Sequence, residues 1–211
     1  MNYPQKVPIT AETDVLLTEV TSAPQKSLVV DAFHTCELRG DAAEALSNAP
    51  FKSRANKSPH WQWLSQGYYF WTVEHFAHKW GKDSISGDYA IVGCNLTFKE
   101  DELLDLVNDF GHQDWLVQLI NLYRDHLDKC YHQVGGHKRE ATVCQVIEHF
   151  RKAKTFPFIA VKAEDSYHEE RIKFAPGKKT ASIFLKKRQQ ICLFETGYRC
   201  ITHKSLVFPI I

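Results

Sequence analysis

An α+β domain is what the sequence predicts, on three observations. Runs with strand character bracket the chain, at Ser27 to His34, Gly67 to Trp71, Asp88 to Phe98 and again from Phe156 onward. Segments with apolar residues at 3/4 spacing sit together in the middle, between residues 99 and 152. The order strand, strand–helix, strand, helices, strands is not the strict alternation of a parallel α/β sheet. The element order gives an α+β domain with a mid-chain helical insertion at about residues 99–152. One domain spans residues 26–211 of the 211, after an N-terminal arm of residues 1–25 that holds three prolines and no helical period.

Each element follows from local chemistry. Ser27 to His34 is apolar and β-branched and reads as a buried strand. Asp41 to Leu46 reads as a short helix with Asp41 near its start. Pro50 to His60, with Lys52, Arg54 and Lys57, reads as a loop. Gly67-Tyr68-Tyr69-Phe70-Trp71 is a short aromatic strand, after which Thr72 caps a helix that runs through Trp80 and stops at Gly81. Asp88 to Phe98 is the second long strand. Helices are predicted at Lys99 to Asn108 (Leu103, Leu104 and Val107 inward), at Gln113 to Tyr131 and at Thr142 to Lys152. Phe156 to Lys162 is a strand, Ile172 to Thr180 an exposed loop, and Ala181 to Phe194 one or two strands around Lys186-Lys187-Arg188. The apolar tail packs as a last strand.

Composition excludes several classes. Hydrophobic residues at 44% and charged residues at 24% exclude a largely disordered chain. A net charge of +1 excludes a global basic field for nucleic acid but leaves room for a local patch. No apolar run approaches the ~20 residues of a membrane-spanning helix, so no membrane is expected as a partner. Residues 1–25 lack a basic segment followed by an apolar one. The six cysteines therefore read as reduced thiols and the expected location is cytoplasmic.

Metal and thiol chemistry have thin support. His75 and His78 stand at i, i+3 on one predicted helix; His126 and Cys130 stand at i, i+4 on another, near His132. No Cys-x-x-Cys or His-Glu-x-x-His accompanies them, and eleven histidines produce such pairs by chance, so no metal is expected. Cys36 with His34 is a weak nucleophile–base pair, because such dyads draw their members from different elements.

Three separated pieces carry a more specific signal. A strand ends in histidine at Val29-Val30-Asp31-Ala32-Phe33-His34-Thr35. A second reads Gly67-Tyr68-Tyr69-Phe70-Trp71 and opens a helix. A late strand reads Gln189-Gln190-Ile191-Cys192-Leu193-Phe194. Together they resemble the ADP-ribosyltransferase superfamily in its poly(ADP-ribose) polymerase and diphtheria-toxin branch. There one strand ends in His-Gly-Ser/Thr, the next reads Gly-x-Tyr-Phe-Ala, and a late strand supplies a Glu. The nearest likeness is to small bacterial members with Gln on that last strand. The resemblance covers roughly residues 27–98 and 156–208 and implies a split β-sheet core with the helices between as an insertion.

The resemblance implies a transferase that uses NAD as substrate and passes one ADP-ribose to a macromolecular acceptor, nucleic acid or protein. Bacterial enzymes of this kind serve as toxins in toxin–antitoxin or phage-defence modules, which implies an antitoxin partner. The implied catalytic residues are His34, Tyr69 and Gln190, with Gln189 as the one-residue alternative. His34 is expected to bond an adenosine-ribose hydroxyl, Tyr69 to stack on nicotinamide, and Gln190 to bond the nicotinamide-ribose 2′-hydroxyl. Backbone at Thr35 would take the carboxamide, Arg39 the pyrophosphate, and Gly67 belongs to the same cofactor-binding set. Lys52 and Arg54 are looser pyrophosphate candidates. Thr35 and Cys36 replace the family's Gly and Ser/Thr, and Gln190 has no negative charge to stabilise a cation. His34 and Tyr69 are expected to face each other across one pocket between neighbouring strands.

Two features stand outside that pattern. Trp61 and Trp63 read as core packing, with the wall of a pocket as the alternative. Arg171, Lys173, Lys178, Lys179, Lys186, Lys187 and Arg188 form a basic segment that reads as a solvated face, or as an acceptor surface for nucleic acid or an acidic protein. The competing functions are a non-catalytic module that holds a nucleotide or ADP-ribose in the same cleft, and a nucleic-acid-binding protein that uses the segment 171–188.

Overall fold

The computed structural model describes residues 27–55, 62–134, 141–173 and 182–210. The predicted N-terminal arm, Trp61, and most of the loop predicted at 172–180 lie outside the described residues.

The architecture is mixed α and β. Seven strands form one sheet in the order β4-β5-β6-β2-β1-β3-β7. They are β1 (Ser27–Glu37), β2 (Tyr68–Trp71), β3 (Tyr89–Lys99), β4 (Leu103–Asp105), β5 (Ala160–Lys173), β6 (Ser182–Leu193) and β7 (Ile201–Phe208). Helices α1 (Ala42–Asn48) and α2 (Glu74–Ser84) precede β3; α3 (Phe110–Val134) and α4 (Val143–Lys152) lie between β4 and β5. A 3-10 turn, Glu195–Cys200, leads into β7.

The sheet has a seam. β1 pairs with β3 over its whole length, from Ser27 with Lys99 to Glu37 with Tyr89. β2 pairs with β6 over four residues. Between β1 and β2 one registered pair, Phe33 with Trp71, joins the four-stranded half β4-β5-β6-β2 to the three-stranded half β1-β3-β7. Apolar alternation fills both faces. Phe70, Leu96, Phe98, Ile191 and Leu193 are fully buried on one side; Leu64, Leu104, Ile147, Val161 and Cys192 pack on the other with α4. Burial of each large side chain contributes about 1.5–3 kcal/mol.

Several expectations need correction. The predicted helix Lys99 to Asn108 is instead a turn and the strand β4, parallel to β5, with Leu103 opposite Ala160 and Leu104 opposite Val161. Both leucines are buried, one in each core, which a strand achieves and a helix does not. The insertion is therefore two helices preceded by a sheet strand. Asp105 then turns the chain, as its carboxylate accepts from the backbone N–H of Val107 (2.9 Å) and Asn108 (3.0 Å). Gly81 does not end α2, which runs on to Ser84. Glycine is required there because a Cβ would stand 2.5 Å from the Tyr89 ring. The N-cap of α2 is Val73, not Thr72, and it makes no side-chain capping bond. β5 extends to Lys173, beyond the predicted Lys162, and β6 is one strand in which Lys186 takes a φ of 52°.

Other local signals hold. Asp41 caps α1 by accepting from the Glu44 N–H (2.8 Å), and Lys204 of β7 binds the last carbonyls of that helix, Ser47 (2.9 Å) and Ala49 (2.7 Å). Thr142 and Gln145 form a reciprocal capping box on α4.

Candidate functional site

Where the two half-sheets part, beyond the Phe33–Trp71 pair, lies a cleft of about 920 Å³. Residues from all three sequence pieces line it: His34 and Thr35 from β1, Tyr69 and Trp71 from β2, Gln190 from β6. Arg39, Lys52 and Arg54 line it too, with Phe51, Trp63 and Trp80. The strands that carry the three pieces are consecutive in the sheet, β6-β2-β1.

β-Strand alternation decides who enters. Gln190 is registered opposite Trp71, and Cys192 opposite Tyr69, so these four share the face that carries α4. Gln189 points the other way and bonds Glu164 on β5 (3.3 Å); Gln190 lines the cleft and Gln189 does not.

His34 and Tyr69 do not face each other as expected. In antiparallel register beyond Phe33–Trp71, His34 falls beside Phe70 and Thr35 beside Tyr69, so the two side chains leave on opposite sides of the sheet. The packing agrees. The His34 ring lies 5.8 Å from Phe70 and 6.3 Å from Phe51, whereas Tyr69 packs with the Leu64 and Cys192 cluster. Both line the same cleft, but from opposite faces of the sheet, which counts against the arrangement that the family resemblance implied.

The imidazole of His34 is fully engaged. Nδ1–H donates to the Tyr69 carbonyl (2.9 Å) and Nε2 accepts from the Phe51 N–H (3.1 Å). That fixes one neutral tautomer. Burial pushes its pKa down to about 4, against a smaller opposite effect of the bond to Tyr69. Neither nitrogen is left to meet a ribose hydroxyl while Phe51 stays in place. Phe51 is held there by a short extended segment clipped to β2. Lys52 bridges to Tyr68, the Ser53 N–H donates to the Gly67 carbonyl (2.8 Å), and the Gly67 N–H donates to Ser53 Oγ (3.1 Å). The clip also carries Lys52 and Arg54 to the rim.

Tyr69 offers a ring, not a hydroxyl. Its O–H donates to the Ser65 carbonyl (2.7 Å) and accepts from the Leu64 N–H (3.1 Å). Burial, with the neighbouring Cys192, holds the phenol above its ordinary range. Ser65 is a buried hub at φ 86°, a conformation rare outside glycine. Its hydroxyl meets Glu148 and accepts from Arg151 (2.9 Å), both on α4. The Arg151 guanidinium lies 3.8 Å from the Phe194 ring centroid. α4 thereby fixes the loop that carries Trp63, and the Trp63 indole N–H donates to Gln190 Oε1 (2.8 Å).

The remaining expected residues divide. Thr35 lines the cleft, but its hydroxyl donates to the Ala77 carbonyl of α2 (3.0 Å). Arg39 lines it as an exposed group paired with Glu37 (2.8 Å). Gly67 does not line it. A Cβ at Gly67 would stand 2.6 Å from the Leu193 carbonyl and 2.7 Å from Cys192 Sγ, so the glycine serves close packing of β2 on β6. Cys36 is buried with its thiol pushed up to about 11 by desolvation, which leaves it no nucleophile. Lys52 is ion-paired with Glu195; Arg54 has no ion pair among the described residues.

Sequence reasoning assigned no role to Phe51, Trp71 or Trp80 in this cleft, and it preferred core packing for Trp63 over the pocket wall that Trp63 in fact forms. Trp80 had no signal in the sequence, because its 38% exposure on α2 is known only from the fold. Trp63 had the paired tryptophans just before Gly67. Among the described residues no group of three or more His, Cys, Asp or Glu is placed to hold a metal. His126 and Cys130 approach to 3.7 Å on α3 and His149 packs against His126, away from the cleft. No described helix is long and apolar enough to cross a membrane. No family model, curated protein or solved structure matches the chain.

Proposed function

We propose that the cleft binds NAD and that the protein is a mono-ADP-ribosyltransferase. What carries the reading is the convergence of the His34, Tyr69 and Gln190 strands, far apart in sequence, on one cleft at the seam of a split sheet. The lining suits a dinucleotide. Tyr69, Trp71, Trp63 and Trp80 offer aromatic faces for flat rings, and Arg39, Lys52 and Arg54 offer cations for a pyrophosphate.

The reaction follows from those groups. The glycosidic C–N bond breaks, its electron pair goes to nicotinamide, and the ribose carbon becomes cationic. The acceptor's lone pair forms the new bond, and the proton that the acceptor loses passes to solvent water. Gln190 is not a base at any physiological pH, so it does not take that proton. The acceptor is therefore already nucleophilic, and the product is a single ADP-ribose instead of a polymer.

A second reading, a module that holds a nucleotide or ADP-ribose without cleaving it, is favoured by His34. Both its nitrogens are occupied, and among the described residues no carboxylate other than Glu37, itself paired with Arg39, lines the cleft to meet a growing cation. Incubation of the purified protein with NAD, with release of nicotinamide and labelling of nucleic acid and protein fractions both followed, separates the two. Nicotinamide release that falls roughly 10²-fold in Gln190→Ala supports the transferase. Binding of NAD and ADP-ribose with no release supports the module. No binding of either ligand overturns both.

A further inference from the structure

We infer that Trp63 is a positioning residue for Gln190, and that it makes the amide of Gln190 a hydrogen-bond donor toward the occupant of the cleft. This rests on the nucleotide reading for the ligand, but the Trp63–Gln190 pair exists without one.

The argument is one of hydrogen-bond polarity. An indole N–H only donates, and a glutamine side chain holds one acceptor oxygen and one donor nitrogen. The 2.8 Å contact between Trp63 Nε1 and Gln190 therefore requires the amide to turn Oε1 toward the indole. The amide is planar, so its NH₂ group turns the other way. Both side chains are half-buried and both line the cleft. The oxygen retains a second lone pair, but its orientation is set by Trp63, and the two N–H bonds are the part of Gln190 left for a ligand.

Trp63 is well placed to impose this. It precedes Leu64 and Ser65, both fully buried, and packs on the cluster formed by α4, β5 and β6. Ser65 in turn is tied to Glu148, Arg151, Tyr69 and Cys192. The indole is thus fixed from α4, on the far side of the half-sheet from His34.

The consequence concerns ligand chemistry. The expected role of Gln190, to accept from a ribose hydroxyl, is reversed. The ligand atom that meets Gln190 is an acceptor oxygen with no proton to give, such as the ribose ring oxygen, since a hydroxyl would turn and donate to a carboxylate as well. A carboxylate at position 190 would keep the indole bond through one oxygen and set the other, an acceptor with negative charge, against that ligand oxygen.

Two measurements decide this. The first needs no ligand: the ¹H–¹⁵N resonance of the Trp63 indole, assigned from its loss in Trp63→Phe, is followed in Gln190→Ala. We expect an upfield proton shift, as the bond is lost. An unmoved resonance overturns the pairing. The second is NAD affinity by calorimetry. Gln190→Glu is expected to bind about 10-fold more weakly or worse, and no better than Gln190→Ala. Trp63→Phe is expected to weaken binding several-fold in the wild-type background and to add nothing in the Gln190→Ala background. A Gln190→Glu protein that binds NAD as tightly as wild type overturns the donor assignment. A wild type that binds no NAD, with the indole resonance shifted as expected, defeats the nucleotide reading and leaves the positioning of Gln190 by Trp63 upheld.

Discussion

His34 makes the pH dependence of folding a direct test of the site. Its ring is buried, with Nε2 accepting from Phe51 and Nδ1–H donating to Tyr69. A proton on Nε2 would replace an acceptor with a donor aimed at another donor. The folded pKa is about 4, against 6.5 for an ordinary histidine. Between those values the unfolded chain binds a proton that the folded chain refuses, so stability is lost as pH falls from 6.5 to 4. The loss attributable to His34 is close to zero at pH 7, about 2 kcal/mol at pH 5 and about 3 kcal/mol at pH 4. Urea denaturation from pH 7 to pH 4 measures it, with His34→Gln as the reference. The glutamine amide supplies one acceptor and one donor and does not titrate. The difference in unfolding free energy between wild type and His34→Gln should fall by those amounts across the range. A constant difference from pH 7 to pH 5 would refute the buried, doubly bonded imidazole, and would return His34 to the cleft as a group free to bind ligand.

Three more outcomes follow from the geometry. Gly81→Ala drives a methyl into the Tyr89 ring and should cost about 1–3 kcal/mol in urea denaturation, because the ring is held from its other side by Phe208 at 4.8 Å. Asp105→Ala removes the acceptor for Val107, Asn108 and Lys162 and should cost about 2 kcal/mol, with faster hydrogen exchange at the start of α3. Tyr69→Phe keeps the ring and loses the hydroxyl that joins Leu64 to Ser65. It should lower stability by about 1–2 kcal/mol and leave NAD affinity unchanged, whereas Tyr69→Ala should lower NAD binding and turnover together.

Strand positions were legible because apolar alternation and aromatic content are local properties. β1 and β3 read directly, and so did the capped start of α1 and the apolar face of α4, though not the capping box of Thr142 and Gln145. β4 did not, since Leu103 and Leu104 fit a helix face as well as a strand buried on both sides; only the partner β5 decides. Gly81 misled for a related reason. Glycine ends helices by taking a left-handed conformation, but here it is demanded by Tyr89 across the helix, a contact between positions that no local rule joins. In the site, the order of pieces predicted which residues converge, and alternation of Gln189 with Gln190 resolved once the register with β2 was known. The hydrogen-bond state of His34 was not legible. It depends on the backbone of Phe51, in a segment whose sequence reads as loop and whose position follows from Ser53 and Gly67.

The same contacts that build the cleft also keep it open. A sheet joined by one residue pair has no ladder to hold its halves in register, so other groups must brace the seam. On one face α2 does so, with the Thr35 hydroxyl bonded to Ala77 and Phe76 packed on Trp71. On the other face the clipped segment does so, with the Phe51 N–H bonded to His34 and Lys52 bridged to Tyr68. His34, Thr35 and Tyr69 therefore hold the architecture as well as line the site. Substitutions that remove the bonds of His34 or Thr35 should lower stability and ligand binding together, whereas at Tyr69 the hydroxyl serves stability and the ring serves the ligand. Arg54 and Trp80 line the cleft, and their side chains make no hydrogen bond among the described residues. Change at either of those two leaves the seam intact, so a loss of ligand affinity there reports recognition alone. A ligand seated between the halves adds a brace that the free protein lacks. It should raise the melting temperature with ligand concentration, as binding to the folded state alone requires, and it should protect β1 and β2 from hydrogen exchange on both sides of the Phe33–Trp71 pair.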